Sequence, residues 1–156
     1  MQNSLEARAK EIISQIIYIT VATSSKDGLP WNSPVYSAYD ENYNFFWTSS
    51  PHSQHSKNIA ENSNIFIVIY NTGDPEGTGE GVYIKAKAFE MNDPNEMDKA
   101  LRPYYERKNK PVKPSSAFLG NGPRRLYKAV PEKVWVNTNE NLDGYIIDKR
   151  IEIKLF

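Results

Sequence analysis

Phe46-Trp47-Thr48-Ser49-Ser50-Pro51-His52-Ser53-Gln54-His55-Ser56-Lys57-Asn58-Ile59 is the stretch on which the reading of this chain turns. Its aromatic start reads as a strand ending in hydroxyls, and a helix then opens with Ser, His and Lys around its first turn. The first N–H groups of a helix lack intrahelical partners, and the dipole is positive there, so such a place favours an anion. The stretch predicts a phosphate seat beside a flat apolar wall. Thr48, Ser49, Ser53, Gln54, His55 and Lys57 are the candidate ligands, with Lys57 or a protonated His55 supplying charge. A plainer reading stays open, in which Ser53 only caps a surface helix and Lys57 is solvated.

Working outward, Leu5, Ala9, Ile12, Ile13 and Ile16 recur at helical spacing, with Ser4 as N-cap. Lys26-Asp27-Gly28-Leu29 is a hairpin turn between a strand from about Tyr18 and a second strand from Pro30 to Tyr39. Pro34 cannot donate a ladder hydrogen bond, so the second strand should be bulged or lie at an edge. Asp40-Glu41-Asn42 turns the chain into a third strand, Tyr43 to Ser49. The short helix from Ser53 to Glu61 leads to Ile65 to Tyr70, an apolar run expected to be buried on both faces. A glycine-rich loop, Gly73 to Gly81, precedes the strand Val82 to Met91.

Asp93-Pro94-Asn95-Glu96 starts another helix with a cap, a Pro at the first helical position and a capping-box Glu. Pro103 should kink that helix or end it early. A loop over residues 109–123 leads to a strand from Leu126 to Val136, a turn from Asn137 to Gly144, and a strand-like tail to Leu155. Six or seven strands joined mostly by short turns, with two or three helices, make a mainly β protein with flanking α: an antiparallel barrel.

The chain has 156 residues and reads as a single domain, 1–156, large enough to bury roughly 68–70% of its unfolded surface. Without Cys it can use neither thiol catalysis nor Cys-ligated metal. Lys plus Arg and Asp plus Glu balance at 19 each, so no global field draws it to nucleic acid or membrane. Its longest apolar run is too short to span a bilayer, and Glu6 within a helical start argues against a signal peptide, so the expected address is the cytoplasm. Ten Tyr, six Phe and three Trp suit a β-rich core or a stacking site for a planar ligand.

Other motifs carry less. His52 and His55 lack a nearby carboxylate or Cys and make a poor metal set. The glycine-rich loop lacks the Lys-Ser/Thr ending of a phosphate loop, and its acids would repel phosphate. The basic run Glu106 to Lys113 reads as a solvated loop, or as a gate for an anionic substrate. No carboxylate pair or Ser nucleophile elbow is visible, so hydrolysis is disfavoured and no catalytic residue is named.

Ile19-Thr20-Val21-Ala22-Thr23 with Asp27-Gly28, Trp31-Asn32-Ser33-Pro34-Val35-Tyr36, Phe46 to Ser49, Ser53 to Ile59 and Ile65-Phe66-Ile67-Val68 together resemble the pyridoxamine 5′-phosphate oxidase-like, FMN-binding split-barrel superfamily, in its small general-stress-type members. The resemblance implies a Greek-key split β-barrel and a homodimer holding FMN at its interface. It places Asn32, Ser33, Pro34, Val35 and Tyr36 along the isoalloxazine edge. Trp47, Thr48 and Ser49 follow the ribityl chain, and Ser53, Gln54, His55 and Lys57 surround the phosphate. Gly81 and Val82, with Tyr83, complete the flavin pocket. The chain departs from the pattern at Gln54-His55, where many members carry Arg-Lys, and it lacks the later Arg-x-His-Asp-Arg of vitamin B6 oxidases. Pyridoxamine phosphate is therefore not the preferred substrate.

The expected activity is an FMN-dependent oxidoreductase passing a hydride or electron pair between a small substrate and the flavin. The alternatives are a non-catalytic FMN-binding or stress-response protein and, from another class, a small barrel stacking single-stranded nucleic acid on Tyr and Trp. The residues do not name the substrate or electron acceptor, nor separate FMN from FAD or a deazaflavin.

Overall fold

The computed structural model describes residues 2–155. In chain order it contains α1 (Gln2–Gln15), β1 (Tyr18–Ser24), β2 (Pro30–Tyr36), β3 (Ala38–Tyr39), β4 (Phe45–Ser49), α2 (Gln54–Glu61), β5 (Asn64–Tyr70), β6 (Gly81–Glu90), α3 (Pro94–Arg107), a 3-10 turn (Ser115–Phe118), β7 (Arg125–Leu142) and β8 (Tyr145–Ile153). All strand pairs are antiparallel, in the order β2-β1-β5-β6-β7-β4-β3, with β8 on β7. Mainly β architecture with flanking helices is thus as the sequence predicts.

The topology has one decisive consequence. β2 and β3 stand at opposite ends of the sheet, yet only Ser37 separates them in the chain. The sheet must therefore bend round until its ends meet, at a seam where β2 approaches β4. Ser37 is fully buried at this corner, and its N–H donates to the Ile17 carbonyl at 3.0 Å. The barrel is split along that seam and not closed by a ladder. Pro34 fits because β2 is an edge strand, as expected of a residue without an N–H.

Inside the barrel, alternate residues of β1, β5, β6 and β7 meet: Ile19, Val21, Ile65, Ile67, Ile69, Val82, Ile84, Ala86 and Val134 are all buried, with Ile12 and Ile13 of α1 plugging one end. A second apolar cluster packs α3 and the 3-10 turn on the outside of β4 and β7, through Met97, Leu101, Tyr104, Phe118, Phe46 and Leu126. Asp93 caps α3 by accepting the Glu96 N–H, with Pro94 at the first helical position. Gly28 turns the β1–β2 hairpin at φ +82°. Among the described residues no helix is long and apolar enough to cross a membrane.

Several expectations need correction. Ser4 lies inside α1 and does not cap it. Tyr43 belongs to a turn at φ 57°, where Asp40 Oδ1 accepts from the N–H groups of Asn42 and Asn44, so β4 starts at Phe45. β5 is buried on one face only, since Phe66 and Val68 remain partly exposed. α3 runs past Pro103 to Arg107, held by the burial of Tyr104 and Tyr105 beyond the proline. Asn137 to Leu142 is strand, and the turn is only Asp143-Gly144, both at positive φ. That segment is polar because it stands clear of the core.

Candidate functional site

A cleft of about 660 Å³ lies along the seam. β2 supplies Pro34, Val35 and Tyr36, and β4 supplies Thr48 and Ser49 from the facing edge. Ile17, Tyr18 and His55 also line it. α3 and the segments around it contribute Tyr104, Arg107, Lys108, Lys110 and Arg124. The size is ordinary for a small-molecule or cofactor site. Its lining carries four cationic side chains and no carboxylate.

His55 spans the split. One ring nitrogen, Nδ1, meets Ser33 Oγ of β2 at 3.1 Å, and Nε2 meets Ser49 Oγ of β4 at 2.8 Å and Ser53 Oγ at 3.2 Å. Ser53 is the N-cap of α2, but its hydroxyl makes no capping bond; it donates to the Ser50 carbonyl and contacts Ser56 Oγ. The first-turn N–H groups of α2 are therefore not consumed by the cap. Burial pushes the His55 pKa below its ordinary value, so the imidazole is neutral at pH 7.

The opposite wall is a chain of polar contacts from α3 to β4. Lys108 Nζ donates to Tyr104 OH at 2.8 Å, and that hydroxyl lies 3.0 Å from Thr48 Oγ1. Arg124 Nη1 donates to the Thr48 carbonyl at 3.2 Å. The Lys108 ammonium also sits over the rings of Tyr104 and Tyr36, at 4.0 and 4.7 Å from their centroids. Tyr36 is held protonated further by burial, which raises its pKa. Arg107 serves the scaffold: its guanidinium donates to the carbonyls of Ile13, Ser14 and Ile16 at the end of α1, and to Ser37 O. One side chain thereby pins α1, the β2–β3 corner and α3 together.

Of the residues singled out from sequence, Pro34, Val35, Tyr36, Thr48, Ser49 and His55 line this cleft, and Ser33 and Ser53 join it through His55. The others lie elsewhere. Asn32 is exposed at the far end of β2. Trp47 is fully buried in the barrel, stacked on Tyr127, with its indole N–H unpartnered. Gln54 is exposed and bonds Asn58, and Lys57 is exposed. Gly81 and Val82 begin β6, three strands from β2 in the sheet.

The basic run Glu106 to Lys113 brings Arg107, Lys108 and Lys110 to the lining, with Arg107 in α3 and not in a loop, whereas Tyr104 and Arg124 carry no sequence signal for the site. Among the described residues no group of three or more His, Asp or Glu could hold a metal ion.

Solved structures with the same fold include Atu2129, a protein of unknown function from Agrobacterium tumefaciens, at 18% identity and TM-score 0.72; the match covers 93% of this chain but 61% of that one. HutZ, the heme storage protein of Vibrio cholerae, matches at 18% identity and TM-score 0.69 over 85% of this chain and 94% of its own. A heme-binding protein from Mycobacterium smegmatis matches at 17% and 0.65 over 93% of this chain and 56% of its own. At these identities the likeness shows the fold alone. A search of curated proteins finds no match. The sequence profile of the pyridoxamine 5′-phosphate oxidase family, however, matches residues 5–138, so the chain belongs to that family.

Proposed function

We propose that the seam cleft binds FMN and that the protein is a flavin-dependent oxidoreductase acting on a small substrate. The observation that carries this reading is the donor set at the seam: hydroxyls, an imidazole and four cationic side chains, without one carboxylate. A phosphate dianion is stabilised by such donors and would be repelled by acids. Ser33, Ser49, Ser53 and His55 would hold the phosphate, with Arg124, bonded to Thr48 beside Ser49, supplying charge. Pro34, Val35 and Tyr36 would border the ring, with edge-strand backbone free to meet its polar rim. When bound, the flavin supplies the redox chemistry, accepting and returning a hydride or electron pair. The protein's own residues would bind and orient it.

The sheet also supports a homodimer. On the outer face of β5, β6 and β7, Phe66 stacks on Trp135 at 6.1 Å, and Tyr70 and Tyr83 extend the same aromatic surface. In this reading a second copy covers that face and brings its Gly81–Val82 segment to the flavin. In its own sheet that segment stands three strands from β2 and is absent from the cleft lining.

Heme, which the Vibrio protein stores and the Mycobacterium protein binds, would set its propionates on the same cations. Against it, the cleft offers one histidine, His55, which is aligned on the hydroxyls of Ser33, Ser49 and Ser53 and has no second imidazole beside it.

The test is the visible spectrum of freshly purified protein, followed by FMN titration of any colourless fraction. Flavin absorbance, or quenching of FMN fluorescence with a raised Tm, is expected. A Soret band with no flavin affinity would overturn the assignment. Turnover with an added reductant separates an enzyme from a protein that merely retains FMN.

A further inference from the structure

We propose that His55 is the proton-accepting ligand of the seam: neutral while it clasps β2 to β4, and protonated when a phosphate dianion takes the place of the hydroxyls it now contacts. The inference rests on the flavin reading above and adds a stoichiometric proton to it.

The geometry is that of a single imidazole with no acidic neighbour. Its partners are the hydroxyls of Ser33, Ser49 and Ser53. The ionisable groups sharing its cleft are Tyr18 and Tyr36 from β1 and β2, Tyr104, Arg107 and Lys108 from α3, and Lys110 and Arg124 from the segments beyond it. Its own helix adds Lys57, which is exposed, and Glu61 at the far end. Burial favours the neutral ring and lowers its pKa.

A dianion reverses the balance. It brings negative charge beside the ring and offers a charge-assisted acceptor in place of the hydroxyls. The proton comes from solvent and no covalent bond changes. A lysine at this position would be charged before and after binding, and a serine in neither state. Only an imidazole changes charge near neutral pH.

Affinity for FMN should therefore weaken, by up to about tenfold per pH unit, between the His55 pKa of the ligand-free protein and the raised one of the complex. A phosphomonoester's own second ionisation, with pKa about 6, is nearly complete by pH ~7, so a slope above that pH belongs to the protein.

The experiment is calorimetric titration of the full chain with FMN at pH 7.5 in two buffers of different ionisation enthalpy, with riboflavin as the ligand lacking phosphate. Proton uptake is expected with FMN and not with riboflavin, and absent in His55→Gln. His55→Lys should bind FMN with an affinity that is flat from pH 7 to 8.5. Because the chain has only two histidines, the ring signals can be followed by NMR without a variant. The His55 midpoint should lie below 6.5 without ligand and rise with FMN. FMN binding without proton uptake, or equal uptake in His55→Gln, would overturn this inference alone. Failure of the wild-type chain to bind FMN at all would overturn the flavin reading with it.

Discussion

The β5–β6–β7 body and the β2/β4 seam belong to one sheet but are held by different physics. In the body every strand has a ladder on both sides, and its inward residues, Ile65, Ile67, Ile69, Val82 and Ile84, are at most 4% exposed. Apolar burial there is non-directional and needs no polar partner. At the seam two strand edges face each other without a ladder, bridged by one imidazole and three hydroxyls beneath a cationic wall. Those contacts are exchangeable for a ligand's oxygens, whereas buried methyl groups are not. The barrel therefore keeps its stability away from the place where it keeps its chemistry.

Breaking the body should cost the most. Ile67→Ala removes a fully buried side chain at the centre of β5 and should lower unfolding free energy by about 2–5 kcal/mol in urea denaturation. FMN affinity measured well below the unfolding midpoint should hardly change. Equal loss of affinity would show that body and seam are not separable. Arg124→Ala attacks the cationic wall instead. It should weaken FMN by about 10- to 100-fold, the range for one charge-assisted hydrogen bond, and riboflavin much less. Lys57→Ala, exposed and off the cleft lining, should leave both affinities near wild type. If Lys57 matters more than Arg124, the phosphate lies on the outer side of α2.

Arg107→Ala tests the hinge between the two regions. It frees carbonyls of Ile13, Ser14, Ile16 and Ser37, and about 1–3 kcal/mol of stability should go with them. Lys in its place should recover little, because a point charge cannot fork across several carbonyls. Full recovery by Arg107→Lys would mean that charge alone, not geometry, fixes the corner.

What the sequence disclosed follows the same division. β1, β5 and β6 and the start of α3 are legible because apolar runs, Asp-Gly at 27–28 and Asp93-Pro94 are local signals. The far end of β7 is not, although the tail that forms β8 is: Asn137 to Asn141 is polar on both faces, and a strand without a core face looks like a turn. Half of the seam was legible for the same local reason, since Thr48, Ser49, Ser53 and His55 fall within one strand–helix unit. The other half comes from afar. Tyr104 is 56 residues from the Thr48 it meets, and its helical spacing with Met97 and Leu101 announces only a core face. Trp47 misleads in the opposite way, because an aromatic next to Thr48 suggests a ring wall, while strand alternation turns it into the barrel.

The smallest effect sharpens the comparison from the side of stability. In the folded chain burial holds the His55 pKa below the ordinary value of about 6.5 that it regains on unfolding. Between those two values the unfolded chain binds more protons than the folded one, so stability must rise with pH across the window. The contribution is fully present above pH ~6.5 and is lost as pH falls through the folded-state pKa. Urea midpoints of the ligand-free protein should be level from pH 7 to 8 and decline from pH 6.5 towards 5. His55→Gln, which keeps polar contacts without a titrating ring, should flatten the upper part of that decline, with His52→Gln as control. The body carries no histidine, so Ile67→Ala should shift the whole curve down while leaving its shape intact. A decline that persists unchanged in His55→Gln would mean that other groups control it and that the seam imidazole is not held neutral by the fold.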